Sequence, residues 1–174
     1  MNVPALAVST SVLFSGVAHV FAAEVVALGA SNTEGKGRGS THDGVPRSHA
    51  YPAQLERLLT AAGCRVHVLN AGKAGDTTGG MLARLPGAMD KDTRVVILQT
   101  GGNDARQGEA GNAFVNIAAI QSYVAAHGAR VVTMGRLNAI AGAWRLPDRQ
   151  HYSVEGHVAF ANSVLGEVRG ALGC

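Results

Sequence analysis

The chain has no run of basic residues. Its Lys and Arg are scattered, the net charge is +3 and the pI about 9.2, so nucleic acid is not a favoured partner. Charge is scarce overall. Charged residues make up 16% of the chain against 47% apolar, which excludes a disordered polymer and fits a globular protein. A length of 174 residues fits one domain with a sizeable core. No charged side chain stands before Glu24. Val3 to Ala23 is mostly small or apolar and ends in Val20-Phe21-Ala22-Ala23, as a secretory signal peptide cut after Ala22 or Ala23 would. Its first residues lack the usual Lys or Arg. The rival is an uncleaved anchor, but Ser9, Thr10, Ser11, Ser15, Gly16 and His19 make a weak spanning helix. The expectation is a signal peptide over 1–23, a domain over 24–174, a secreted or periplasmic location and no stable membrane insertion after cleavage. Cys64 and Cys174 are the only cysteines. They lie at the same end of the expected sheet, so a disulfide and two free thiols both stay open. Oligomeric state is not encoded in any pattern here.

Two near-motifs are incomplete. Gly29, Gly35 and Lys36 approximate a phosphate-cradling loop, but the next residue is Gly37, not the Ser or Thr that holds Mg²⁺. The strand at Val95 to Gln99 also ends without the Asp that completes such a site. His42, Asp43 and His49 match no standard metal spacing and read as solvated loop residues.

What is present alternates strand-like runs with helical ones. Val25 to Leu28 is a short buried strand, followed by Gly29-Ala30-Ser31. Tyr51 to Ala62 reads as a helix with Pro52 in its first turn, stopped by Gly63. Arg65 to Leu69 is the second strand and leads into Asn70-Ala71-Gly72-Lys73-Ala74-Gly75-Asp76-Thr77-Thr78. Asp76 or Thr77 caps a helix carrying Met81, Leu82 and Leu85. Arg94 to Gln99 is the third strand and leads into Gly101-Gly102-Asn103-Asp104. A helix over about Ala110 to Ala126 has Phe114, Ile117, Ile120 or Gln121, and Val124 on a stripe. Arg130 to Met134 is the fourth strand, Leu137 to Pro147 is irregular, and a last helix runs to Leu172. This order predicts an α/β fold, a parallel sheet covered on both faces by helices.

The candidate site follows from that topology. Ser31, Gly75 and Asn103 all fall at the carboxyl edge of the sheet, where open α/β sheets bind ligands. Asp148 stands three residues before His151 on a turn, close enough to reach Nδ1 and leave Nε2 free as a base. Each feature alone has a plain explanation: a helix-capping serine, turn glycines, a turn asparagine, a surface histidine. Their convergence on one edge is what points to chemistry.

In this order, the four stretches resemble the SGNH hydrolases, the GDSL esterase/lipase family. Gly29-Ala30-Ser31-Asn32 is similar to its Gly-Asp-Ser-Leu block, and Asn70 to Thr78 to its glycine block. Gly101 to Asp104 is similar to Gly-x-Asn-Asp, and Asp148 to His151 to the final Asp-x-x-His. The resemblance implies a flavodoxin-like three-layer sheet and hydrolysis of carboxylic esters. Ser31 would be the nucleophile, His151 the base and then acid, and Asp148 its orienting partner. Ser31, Gly75 and Asn103 would form the oxyanion hole, with no metal or organic cofactor required. The partner implied is a small-molecule ester or thioester, as for arylesterase, acyl-CoA thioesterase or lysophospholipase members. Two departures stand out. Ala30 replaces the acidic residue before the serine. Only about a dozen residues separate the fourth strand from Asp148, where the family usually has a further helix and a fifth strand. A four-stranded sheet with a site open on that side is expected, favouring short acyl or aryl esters. Glycan or peptidoglycan O-acetylesterase chemistry would use the same residues. A non-catalytic binding protein on a hydrolase scaffold is the alternative of another class.

Overall fold

The computed structural model describes residues 23–36 and 43–174. The expected signal peptide, Ala23 apart, lies outside the described residues, as do His42 and most of Gly35 to Gly44, a glycine-rich candidate lid.

Four strands form one parallel sheet: β1 (Ala23–Gly29), β2 (Val66–Gly72), β3 (Thr93–Gln99) and β4 (Arg130–Thr133), in the order β2-β1-β3-β4. β1 and β3 are central. Their apolar runs, Val25 to Leu28 and Val95 to Leu98, are fully buried, as expected of parallel strands covered on both faces. Alternate residues point to opposite faces. Val25, Ala27, Val95 and Ile97 pack with Tyr51, Leu55 and Leu59 of α2 (Tyr51–Ala61) and with Phe160 and Val164 of α7 (Val154–Leu172). Val26, Leu28, Val96 and Leu98 pack with Met81 and Leu85 of α3 (Thr78–Ala88) and with Ile120 and Val124 of α5 (Ala113–Ala126). The fold is therefore three-layer α/β/α with an aliphatic core on each side of the sheet. A 2.03 Å disulfide joins Cys64 to Cys174, tying the entry of β2 to the end of α7.

Several elements differ from the sequence reading. β2 runs on to Gly72, because its register with β1 continues through Asn70, Ala71 and Gly72. The segment after β3 opens with a short turn of helix, α4 (Asn103–Arg106), and α5 starts only at Ala113. Phe114 is 81% exposed, so the apolar stripe of α5 begins deeper in the helix. Leu137 to Pro147 is not wholly irregular. It holds α6 (Leu137–Ala141) and a 3₁₀ turn over Gly142–Trp144.

The chain leaves β1 toward β2 on one side and returns to β3 on the other. The crevice between the carboxyl ends of β1 and β3 is thus a topological switch point, where ligands bind in open α/β sheets. Ser31 opens a one-turn helix, α1 (Ser31–Glu34), right at this point. Two glycines make the turn possible by close approach. A Cβ at Gly29 would lie 2.0 Å from Thr33 Oγ1, and one at Gly72 would lie 2.0 Å from the Glu34 nitrogen.

Candidate active site

A cavity of about 380 Å³ opens over the carboxyl ends of β1 and β3. Ser31, Asn103 and Gln150 are among its lining residues. Three chain segments far apart in sequence meet here. Asn32 Nδ2 donates to the Gln150 carbonyl at 3.1 Å, which fixes the residue after Ser31 against the residue before His151.

His151 sits behind that rim, 3% exposed. Its Nδ1–H donates to Asp148 Oδ2. The other carboxylate oxygen, Oδ1, accepts the backbone N–H groups of Gln150 at 2.9 Å and His151 at 3.0 Å. Burial works to raise the Asp148 pKa, but those two N–H bonds and the imidazole outweigh it, and the net shift is downward. An ionised Asp148 fixes the tautomer with the proton on Nδ1 and leaves Nε2 as the acceptor. The pair stands on a hairpin. Leu146 N–H donates to the His151 carbonyl at 2.8 Å, Ser153 N–H to the Trp144 carbonyl at 2.9 Å, and Arg145 bridges Tyr152. Residues 147–150 are its tip. Arg149 there has φ +58°, the one non-glycine residue at positive φ among the described residues.

The opposite wall is built by two loops locked together. Asn103 is buried, and its Nδ2 donates to the Asp76 carbonyl at 2.7 Å while its Oδ1 accepts from Arg106 Nη2 at 2.5 Å. Only one orientation of the amide satisfies both partners, and its second N–H has no partner among the described residues. Asp104 takes the Thr78 N–H at 3.1 Å and the Thr78 hydroxyl at 2.5 Å, so it holds the start of α3. Gln107 Nε2 donates to the Gly75 carbonyl at 2.7 Å. Thr77 caps α3 by accepting the Gly80 N–H at 3.3 Å. Gly75 has φ +78°, in a turn closed by Asp76 N–H to Lys73 O at 3.0 Å, a conformation that favours glycine. It is adjacent to the carbonyl that Asn103 holds but is not among the cavity-lining residues.

Arg84 is a site residue that sequence reasoning missed. It forms an ion pair with Asp76 through Nε at 2.7 Å and donates to the carbonyls of Ala71 at 2.6 Å and Gly29 at 2.9 Å. One guanidinium thus braces the exits of β1 and β2 and the loop after Gly75. Glu34 adds a second tie, accepting the Ala74 N–H at 2.6 Å. With Ala30 in place of an acid, the turn that carries Ser31 is held by these contacts, by the Ala30 carbonyl accepting Thr33 and Glu34 N–H, and by Thr33 Oγ1 donating to Gln99 at 3.0 Å. The sequence signal for Arg84 was faint: a lone arginine three residues after Met81, on the core-facing helix.

None of the other described histidines lines this cavity. His67 pairs with Glu56, and His127 stacks on Tyr123. His157 is fully buried, and its Nδ1 accepts the Tyr51 N–H at 3.2 Å. Burial, with nearby His151 adding to it, pushes its pKa down to about 4. Among the described residues no cluster of three or more His, Cys, Asp or Glu could hold a metal ion, and no helix is long and apolar enough to cross a membrane.

Fold and site together define a class: the α/β/α hydrolases of SGNH type, with a serine after the first strand and an Asp-x-x-His turn before the last helix. Within it, the family model of the GDSL-like Lipase/Acylhydrolase family matches residues 27–172, and the chain belongs to that family. Among curated proteins it is similar to the esterase TesA of Pseudomonas aeruginosa, 34% identical over 94 residues, covering 53% of this chain and 47% of that one. It is also similar to an arylesterase of Vibrio mimicus, 35% identical over 92 residues, covering 52% of this chain and 46% of that one. The matches thus span about half the length of these relatives. Among solved structures, the crystal structure of TesA superposes with a TM-score of 0.73 at 22% identity, covering 85% of this chain and 99% of that chain.

Proposed function

We propose that this chain is a serine hydrolase of carboxylic esters. Ser31 is the nucleophile, His151 takes its proton and later returns it to the leaving group, and Asp148 orients and stabilises the imidazole. The backbone N–H groups of Ser31 and Gly75 and the free N–H of Asn103 Nδ2 receive the developing oxyanion. The reading is carried by one observation above all: a buried His151, its Nδ1–H on an Asp148 carboxylate, in the hairpin that Asn32 ties to the nucleophile turn. A serine hydroxyl needs such a base to attack at neutral pH, and preformed donors lower the barrier to the tetrahedral intermediate.

The open rim and the four-stranded sheet favour short acyl or aryl esters, and p-nitrophenyl acetate is expected to be hydrolysed faster than the decanoate. Export fits the Cys64–Cys174 bond, which persists in oxidising compartments, and the apolar stretch before Glu24. The test is hydrolysis of p-nitrophenyl acetate by residues 24–174. Ser31→Ala and His151→Ala each lower kcat by about 10⁴–10⁶ while the fold is retained. Equal low rates in wild type and both variants would overturn the reading in favour of a binding protein.

A further inference from the structure

Four of the chain's 12 arginines line the cavity that contains Ser31: Arg106, Arg136, Arg145 and Arg149. No Asp or Glu lines it. None of the four forms an ion pair among the described residues. The residues outside the description hold no Asp or Glu either, so no carboxylate of this chain neutralises the group from there.

The four are not equivalent. Arg106 is pinned to the Asn103 amide, and Arg145 lies over the Tyr152 ring, 5.7 Å from its centroid, and donates to its hydroxyl at 3.2 Å. Among the described residues, Arg136 and Arg149 have no hydrogen-bond partner for their guanidinium groups. Arg149 is presented from a backbone at φ +58°, where a glycine would sit without strain and an arginine does not. Strain kept at a cavity rim is the mark of a side chain with a task. Unpaired guanidinium forks match carboxylate and phosphate oxygens in pairs, and several of them in one concavity raise the local concentration of anions.

Resting on the ester-hydrolase reading, we infer that the cavity selects anionic esters, in which a carboxylate or phosphate next to the scissile bond is received by Arg136 and Arg149. Arg106 and Arg145 set the positive field around it. The covalent steps are those already given; the anion only positions the carbonyl over Ser31.

The experiment compares matched pairs that differ in one charge. Mono-p-nitrophenyl glutarate against its methyl ester places the carboxylate on the acyl side. p-Acetoxybenzoate against its methyl ester places it on the leaving group, and p-acetoxyphenyl phosphate against its dimethyl ester exchanges carboxylate for phosphate. For at least one pair, kcat/KM is higher for the charged member by about tenfold or more, one charge-assisted contact's worth. That ratio falls in Arg136→Gln and in Arg149→Gln, and falls as salt is raised to about 0.5 M. Ratios near one for every pair, or ratios that neither substitution moves, overturn the inference. Calorimetric titration of the same pairs into Ser31→Ala, which cannot turn over, separates the two readings. If wild type hydrolyses none of the esters, the hydrolase reading fails by itself. Tighter binding of the charged members then still supports anion selection, and equal binding overturns it.

Discussion

The two walls of the cavity are held by different means. The side carrying Asn103 and Arg106, with residues 70–84 packed behind it, is dense with charge and amide contacts: Asp104, Asn103 and Gln107 each hold a backbone group of the facing loop, and Arg84 holds the Ala71 carbonyl behind them. The wall made by residues 144–153 is a small hairpin with three backbone bonds, one carboxylate and an arginine in a left-handed conformation. The difference suits the tasks proposed for each. Oxyanion donors act only if they stand in place before charge develops, so their loop is braced from several sides. The proton-transfer pair needs one orientation of one ring, and a single carboxylate fixes that.

Breaking each wall should therefore give a different signature. Asp148→Asn retains an oxygen for the Gln150 and His151 N–H groups but removes the charge that fixes the tautomer. A fall in kcat of about 10⁴ on p-nitrophenyl acetate is expected, with a urea midpoint close to wild type. A kcat within tenfold of wild type would remove Asp148 from the proposed machinery.

Arg84→Met strikes the other wall and reverses the balance. Asp76, 7% exposed, loses its cation, and two strand-end carbonyls lose a donor. Leaving a buried carboxylate unpaired costs about 3–5 kcal/mol, read as a lower unfolding free energy in urea, with kcat falling less than in Asp148→Asn. Arg84→Lys recovers only part of the stability, because a point charge cannot serve three acceptors spread over one fork. A stability within about 1 kcal/mol of wild type for Arg84→Met would mean that the loop is held without it.

The same contrast governs what the sequence disclosed. The strands were legible because Val25 to Leu28 and Val95 to Leu98 are uninterrupted apolar runs, and burial on both faces demands such runs. Ser31, Asn103 and the Asp148-x-x-His151 spacing were legible because turn chemistry confines those residue types to few positions. Arg84 was not, since its three acceptors, the Asp76 carboxylate and the carbonyls of Ala71 and Gly29, are brought together only by the fold. The short α6 was hidden because five residues carry too little periodicity to be read. Phe114 misled for the opposite reason: it continues the spacing of Ile117, Ile120 and Val124, yet it stands at the exposed start of α5 where the helix has no neighbour to bury it. The disulfide was one of two open readings, and only three-dimensional proximity, with Cα atoms 5.5 Å apart, decides between them.

The smallest effect is the most particular to the hairpin. At φ +58°, a residue with a Cβ is strained where glycine is not. Arg149→Gly is expected to raise the unfolding free energy by roughly 1 kcal/mol or less, the relief of strain being partly offset by the greater freedom of glycine in the unfolded chain. Arg149→Gln keeps the Cβ and should leave stability unchanged, so the pair separates backbone strain from the guanidinium. If glycine stabilises the hairpin while the charged-to-neutral ester ratio falls equally in both variants, the left-handed arginine is a cost in stability carried for recognition. If glycine destabilises it, the Arg149 side chain has a packing role that its exposure conceals, and the hairpin is held more like the opposite wall than its bonds suggest.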